Sequence, residues 1–448
     1  MRTRMNFVKD YSRVIILMVV SLFVLCSMIY STPVEQHRAS ALISADRAFD
    51  DDSSSPPQDL PRVDDQSNLG EAVTLQGPDC VRQLPEELQK FFKDCTLLEN
   101  LDPRQIRAAL DSGAPITIPI AGQPRRITAK LDRTLFAPTA IQGQERLRTR
   151  PIVRTAVSNS FVGTVVDMPR SNAGVTISDD NRFIFGFGSS SPKAEDSFFF
   201  ETLVEPQRSS FRVLTYRGSD VLLKFSFPED DAPKPRGSNT SSTSSSLSPL
   251  THTTQRILGH GDQAFINSLG GSLSGAFARM EFLITCIRLW YQNFTNVRFQ
   301  IAELWLRLSN FGPTNATTLR DTFQTHMESI AHQPAATYHV AHLFTGVNTD
   351  GSTIGLSQFP GAGPLGHYAI SQMIVEPGFY DATVFGQGIL VAHEVGHNYN
   401  ATHGSCNAGP PPDIMCAGAL GGPDTRLASF SAVSIGLING EEPVKTTR

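Results

Sequence analysis

"HEVGHNYNATHGS", residues 393 to 405, places His393, Glu394, His397 and His403 within eleven positions. Residues four apart on a helix lie one above the other on one face, so His393 and His397 can offer their imidazoles to a single cation. Glu394, beside the first of them, is placed to take a proton from a water polarised by that cation. The helix must then stop, because His403 reaches the same ion only if the chain folds back. Asn398 and Asn400 supply the stop, and Gly404 loosens the return. Sharp exits from helices commonly need a positive φ, where glycine is least strained and asparagine next. At Asn400 the penalty relative to glycine is about 1 kcal/mol or less. A lone His-Glu-x-x-His also occurs on solvated helix faces, and it is His403 at this spacing that favours zinc on three histidines. The apolar approach "GILVA" (388–392) suits a helix that enters a core with its polar residues on one side.

The surrounding chain has ordinary globular composition. It is 448 residues long, 40% hydrophobic and 18% charged, enough for two or three domains. A formal charge of −5, with no basic cluster interleaved with aromatics, excludes nucleic acid as a partner. At the N-terminus, Arg2, Arg4, Lys9 and Arg13 precede the uncharged run Val14 to Tyr30, the pattern of an export signal. The run is long for a cleaved signal and short for a spanning helix, so residues 1–31 read as signal peptide or signal anchor. The bulk of the chain is expected outside the cell, secreted or as a single-pass type II membrane protein, with that anchor as its only membrane contact. Five cysteines follow. By separation, Cys80–Cys95 and Cys406–Cys416 are the economical pairs and Cys286 is left over. Sequons at Asn239, Asn293, Asn315 and Asn400 are compatible with a secretory route.

Composition divides the chain further. Residues 32–78 are polar and read as a disordered tether. Residues 79–227 begin with helical apolar spacing up to Asp111 and continue as short runs such as "PITIPIAG", "RFIFGFG" and "SFFFETLVEP", separated by turn residues, which reads as β-rich. Residues 228–254 are Ser/Thr/Pro-rich and read as a linker. From 255 to 448 the pattern alternates. "GAFARMEFLITCIRLWYQNF" reads as a long amphipathic helix, "VRFQIAELWLRL" as a strand, "NATTLRDTFQTHMESIAH" as a second helix and "GILVAHEVGHNY" as a third. "YHVAHLFTGV" and "STIGLSQFPG" read as a hairpin-like pair. His339, His342 and His367 read as strand or loop residues, and His260 with Asp262 as a turn.

Met415, in the turn "PPPDIMCAG", taken alone would be a core filler. Together, His393, Glu394, His397, His403 and Met415 resemble the long zinc motif and Met-turn of the metzincin metallopeptidases. "HEVGHN" followed by a cysteine and "IMC" is similar to the adamalysin (reprolysin-like) branch, and the β-rich segment resembles that branch's propeptide. The resemblance spans about Ala114 to Asn439. It implies an α+β fold, with a β-rich propeptide followed by a catalytic domain of twisted mixed sheet and long helices, one of them carrying the zinc motif. It implies one catalytic Zn2+ on His393, His397 and His403, with Glu394 as general base and Met415 as a floor beneath the metal. Protein or peptide substrates would lie extended along Ile354, Gly355, Leu356 and Ser357.

The match departs from the family at three places. Asn400 replaces the usual glycine. Gly404 stands where the branch commonly has aspartate. No cysteine lies between Cys95 and Cys286, so the usual propeptide thiol is missing, and Cys80 or Cys95 would have to block the zinc instead. Rival readings are an aspartate third ligand (Asp413 or Asp424), and a non-catalytic zinc-stabilised extracellular binding module. Glutamate as third ligand is disfavoured, because the next one after Glu394 is Glu441. Maturation is expected at Arg236 or Arg256 rather than in "RLRTR" (146–150), where Pro151 follows.

Overall fold

The computed structural model describes residues 74–99, 101–145, 150–191, 196–204, 212–222, 252–329, 338–350, 353–359, 367–373, 383–403, 413–416 and 429–440. The export signal, most of the tether and nearly all of the linker lie outside the described residues. The tether ends sooner than its composition suggests. Thr74–Gln76 forms β1, antiparallel to β2 (Thr96–Glu99), and Gly77, at φ 64°, turns the chain into helix α1 (Pro78–Gln83). At the other end, Thr253 already belongs to a strand, inside the last two residues of the Ser/Thr-rich stretch.

After the short α2 (Glu86–Gln89) and α3 (Pro103–Asp111) come β3 (Ile116–Ile120), β4 (Gln123–Leu131), β5 (Phe136–Glu145), β6 (Ile152–Thr155), β7 (Ser160–Val165), β8 (Asn172–Ile177), β9 (Ile184–Ser189), β10 (Ser197–Thr202) and β11 (Arg212–Arg217). Most of these build a nine-stranded sheet ordered β1-β2-β11-β10-β9-β8-β7-β4-β3, antiparallel at every pairing. The short alternating runs and their turn residues produce this meander directly. A disulfide joins Cys80 to Cys95 at its margin, as sequence separation favours.

β5 and β6 leave that sheet for another. Downstream, β12 (Thr253–Gly261) leads through α4 (Gln263–Ser268) and α5 (Leu273–Phe294) to β13 (Val297–Arg307). The chain continues through α6 (Ala316–Glu328), β14 (Val340–Thr345), β15 (Gly355–Ser357), β16 (His367–Gln372), α7 (Val384–Asn398) and α8 (Ala432–Gly440). The second sheet has seven strands in the order β15-β16-β14-β12-β13-β5-β6. Its inner pairings are parallel, and β15 and β6 close the two edges antiparallel.

Two expectations need correction. Helix α5 was expected to be amphipathic, yet Gly275 through Tyr291 are buried without a break, Arg279, Glu281 and Arg288 included. It packs on β13 with one side and on β7, β8 and β9 with another, so no face meets solvent. β14 and β15 are not a hairpin pair, because β16 lies between them, parallel to β14 and antiparallel to β15. "HYAISQ" is buried at every position, and a strand covered on both faces shows no alternation to read.

The residues from Asn68 to Arg448 form one compact unit. One core cluster runs through both sheets' elements, with Phe282 of α5 beside Phe185 and Phe187, and Phe385 of α7 4.7 Å from Phe199. Among the described residues no helix is long and apolar enough to cross a membrane.

Candidate metal centre

The Thr383 hydroxyl starts α7 by accepting the Gly386 N–H at 3.1 Å. The helix carries His393, Glu394 and His397 and ends at Asn398. Asn400 then sits at φ 64°, with its N–H donating to His397 O and the Ala401 N–H donating to Gly396 O, both at 3.0 Å. That pair of bonds is the Schellman stop, with asparagine in the left-handed position usually held by glycine. It turns the chain back so that His403 faces the helix.

The three Nε2 atoms form a nearly equilateral triangle. His393 to His397 and His393 to His403 are 3.0 Å, and His397 to His403 is 2.9 Å. The protons decide what this means. His393 Nδ1 is 2.8 Å from Ile414 O, and His397 Nδ1 is 2.8 Å from Ala401 O. A carbonyl only accepts, so both Nδ1 atoms carry the proton and both Nε2 atoms present lone pairs. Two such lone pairs aimed at each other, with His403 Nε2 equally close to both, make a place that a cation would fill. Nitrogen ligands on one tetrahedral zinc sit about 3.3 Å apart, a few tenths of an ångström wider than this triangle, so the residues fit the ion. Burial, then the charges of His397 and His403, holds His393 well below the usual imidazole range. Burial, then His403, pushes His397 down to about 3. Both are therefore neutral, the form that ligates, at any ordinary pH.

Glu394 is buried next to His393 on α7, and β15 lies across it. The Ser357 hydroxyl is 2.7 Å from Glu394 Oε2 and 2.7 Å from the Glu394 carbonyl oxygen. A Cβ on Gly355 would fall 2.3 Å from Glu394 Oε1, so that position admits only glycine without displacing the carboxylate. Ile354 points into the core, and Leu356 packs against the cluster on the opposite face of the sheet. The Asn398 amide donates to Gln358 O at 2.8 Å, which ties the helix end to the same edge, and the Phe359 ring lies 5.1 Å from that of His397. Beneath, Met415 is wholly buried, and a Cβ on Gly396 would fall 2.3 Å from its Sδ. Glycine inside the motif thus lets Met415 come under the helix, and the neighbouring Ile414 carbonyl fixes the His393 ring.

The structure places His393, His397 and His403 together with Glu394 on the same helix and Met415 below, but the sequence did not show Ser357 as a partner of Glu394. No local pattern signals that contact, which depends on where β15 crosses α7. Asp413 accepts from Met415 N at 2.9 Å and Ser431 N at 2.6 Å and so braces this turn; Asp424, Gly404 and Cys406 lie outside the described residues. No upstream thiol is available to block zinc among the described residues, because Cys80 and Cys95 are bonded to each other and Cys286 is buried in α5. Cys416 is disulfide-bonded. Arg256 lies within β12, between β13 and β14, with its N–H donating to His339 Nδ1, and is not an accessible processing site.

His342 and His367 are strand residues, as expected. Burial lowers them to about 3 and about 4. His260 lies one residue before the end of β12, and Asp262 caps α4 through the Phe265 N–H, so "GHGDQ" is a strand-to-helix junction rather than a simple turn. A grouping the sequence did not suggest joins Glu145, His260 and His326. Here Arg307 donates to His326 Nδ1 at 3.2 Å, so the proton sits on Nε2 and is given to Glu145 Oε2 at 2.9 Å. Arg307, His326 and Glu145 thus form a donor-to-acceptor hydrogen-bond chain, unlike the facing lone pairs of His393 and His397.

Residues 277–404 match the profile of metallo-peptidase family M12B, reprolysin-like. No curated protein matches the chain. Among solved structures, the chain is similar to the crystal structure of metalloproteinase-II from Bacteroides fragilis. The identity is 12%, the TM-score 0.42, and the match covers 76% of this chain and 96% of that one.

Proposed function

With residues 277–404 reprolysin-like, we propose that this chain is a zinc-dependent metalloendopeptidase that hydrolyses peptide bonds in proteins, made as a secreted or membrane-anchored precursor. The observation that carries the reading is the convergence of the His393, His397 and His403 Nε2 atoms, two of them presenting lone pairs, on a helix that also carries the buried Glu394. What zinc supplies there is polarisation of a water and of the scissile carbonyl. Glu394 takes the water's proton and passes it to the leaving amine. Ser357 holds that carboxylate in place. The free side of β15 pairs with an extended substrate, and Met415 supports the histidines from below.

A binding module stabilised by zinc has no use for a buried carboxylate next to a ligand on the same helix, which favours the enzyme. The test is peptide cleavage by the purified, zinc-loaded full chain. Cleavage should be chelator-sensitive and fall by about 10²–10⁴-fold in Glu394→Gln with zinc content unchanged. His403→Ala should lose the metal. A zinc-loaded wild type that cleaves nothing in a peptide library overturns the enzyme reading, and full zinc occupancy in His403→Ala overturns the ligand set.

A further inference from the structure

The segments before and after the Ser/Thr-rich stretch share a sheet and a core. β5 runs parallel to β13, with Ile301 opposite Phe136 and, after a shift of register, Glu303 opposite Ile141 through Arg307 opposite Glu145. At its end Glu145 bonds His326 of α6, and His260 of β12 lies at 3.4 Å. Without β5, the eleven residues of β13 would offer an open parallel edge, the kind of surface that pairs with other chains. The approach is close: a Cβ on Gly143 of β5 would fall 2.2 Å from the Trp305 ring.

Helix α5 is bound to the upstream segment by its charges as well as its apolar surface. Arg279 donates to Glu201 at 2.8 Å, and Arg288 lies 3.2 Å from Asp132. Glu281 accepts the Asn159 N–H at 2.7 Å. Phe282 meets Phe185 and Phe187, and Phe183 lies against Gly275, where an added Cβ would come within 2.8 Å of its ring. Every one of these partners precedes residue 223. Removing them would strand buried ionic groups and aromatic surface together.

We propose that residues 74–222 are a permanent subunit of the peptidase rather than a detachable propeptide. A cut between residues 223 and 251 then yields a two-piece enzyme held by the shared seven-stranded sheet and by the face of α5. The piece before the cut completes the fold of the piece that carries the metal site. This deepens the precursor reading above, yet it is tested without substrate, so an inactive protein leaves it untouched.

The experiment replaces residues 237–246 of the full chain with a site for a specific protease, cuts it, and follows the pieces by size-exclusion chromatography. The expected result is one particle of the uncut mass, containing both pieces, that unfolds in a single transition at the temperature of the uncut chain. Separation of the two pieces under native conditions overturns the proposal. A second chain, Gly143→Leu, is cut in the same way. Its pieces should come apart at a lower urea concentration than those of the wild type, and an unchanged midpoint would refute β5 as the seam.

Discussion

At the scale of single residues, the site rests on small choices of side chain and backbone. The Ser357 hydroxyl contacts Glu394 at its carboxylate and carbonyl oxygens. Replacing it with alanine should lower kcat about 10-fold, the worth of one hydrogen bond to a charged group. Zinc content and KM should not change, and Ser357→Thr should restore most of the rate. Asn400, at φ 64°, makes a second test. Asn400→Ala should cost about 1 kcal/mol in urea unfolding, whereas Asn400→Gly should cost nothing. Both the metal motif and its turn were legible in the sequence because helical spacing and left-handed tolerance are local properties. The Ser357 contact was not, because it depends on the crossing of two elements separated by chain that carries no spacing rule.

Among the elements, α5 shows where sequence periodicity stops informing. Its charged residues suggested a solvent face, but they answer to upstream partners far away in the chain. Glu281 states the consequence in pH. Burial, opposed by hydrogen bonds from Asn159, Ser160 and Ser158 and reinforced by Asp179, raises it from 4.5 to about 7. A raised carboxyl binds its proton more tightly in the folded chain, so its stabilising contribution is complete below pH 4.5 and is lost as pH rises through about 7. Glu281→Gln, which stays neutral, should therefore gain on the wild type across that interval, by on the order of 2 to 3 kcal/mol at pH 8. Thermal unfolding of both proteins from pH 4 to pH 8 checks this, and parallel curves would contradict it. β16 escaped for the related reason that burial on both faces removes alternation.

Over the whole molecule, the metal and the fold are coupled. The triangle joins α7 to a residue beyond its terminating turn, and Ile414 and Ala401 hold two of its rings by their carbonyls. Stripping zinc should therefore lower the unfolding temperature. The stabilisation lost is roughly 3 kcal/mol when free zinc stood at a hundred times its dissociation constant. An unchanged melting curve would show that the three imidazoles do not ligate. A twisted mixed sheet was expected downstream of the linker, but that β5 and β6 complete it could not be foreseen from the sequence. β5 carries the same texture as the strands of the nine-stranded sheet, and nothing local says that it pairs instead with β13 across a linker.

The turn at Asn400 has one more consequence, concerning time rather than energy. Asn400-Ala401-Thr402 is an acceptor sequence for N-linked sugar, and its middle residue is fully buried once the turn has closed. Sugar transfer requires an open, flexible acceptor, and metal capture requires the same stretch closed with His403 turned inward. In an exported chain the two events are competitors for one segment. A molecule glycosylated at Asn400 would miss its metal, and one that had folded around zinc first could no longer be modified there.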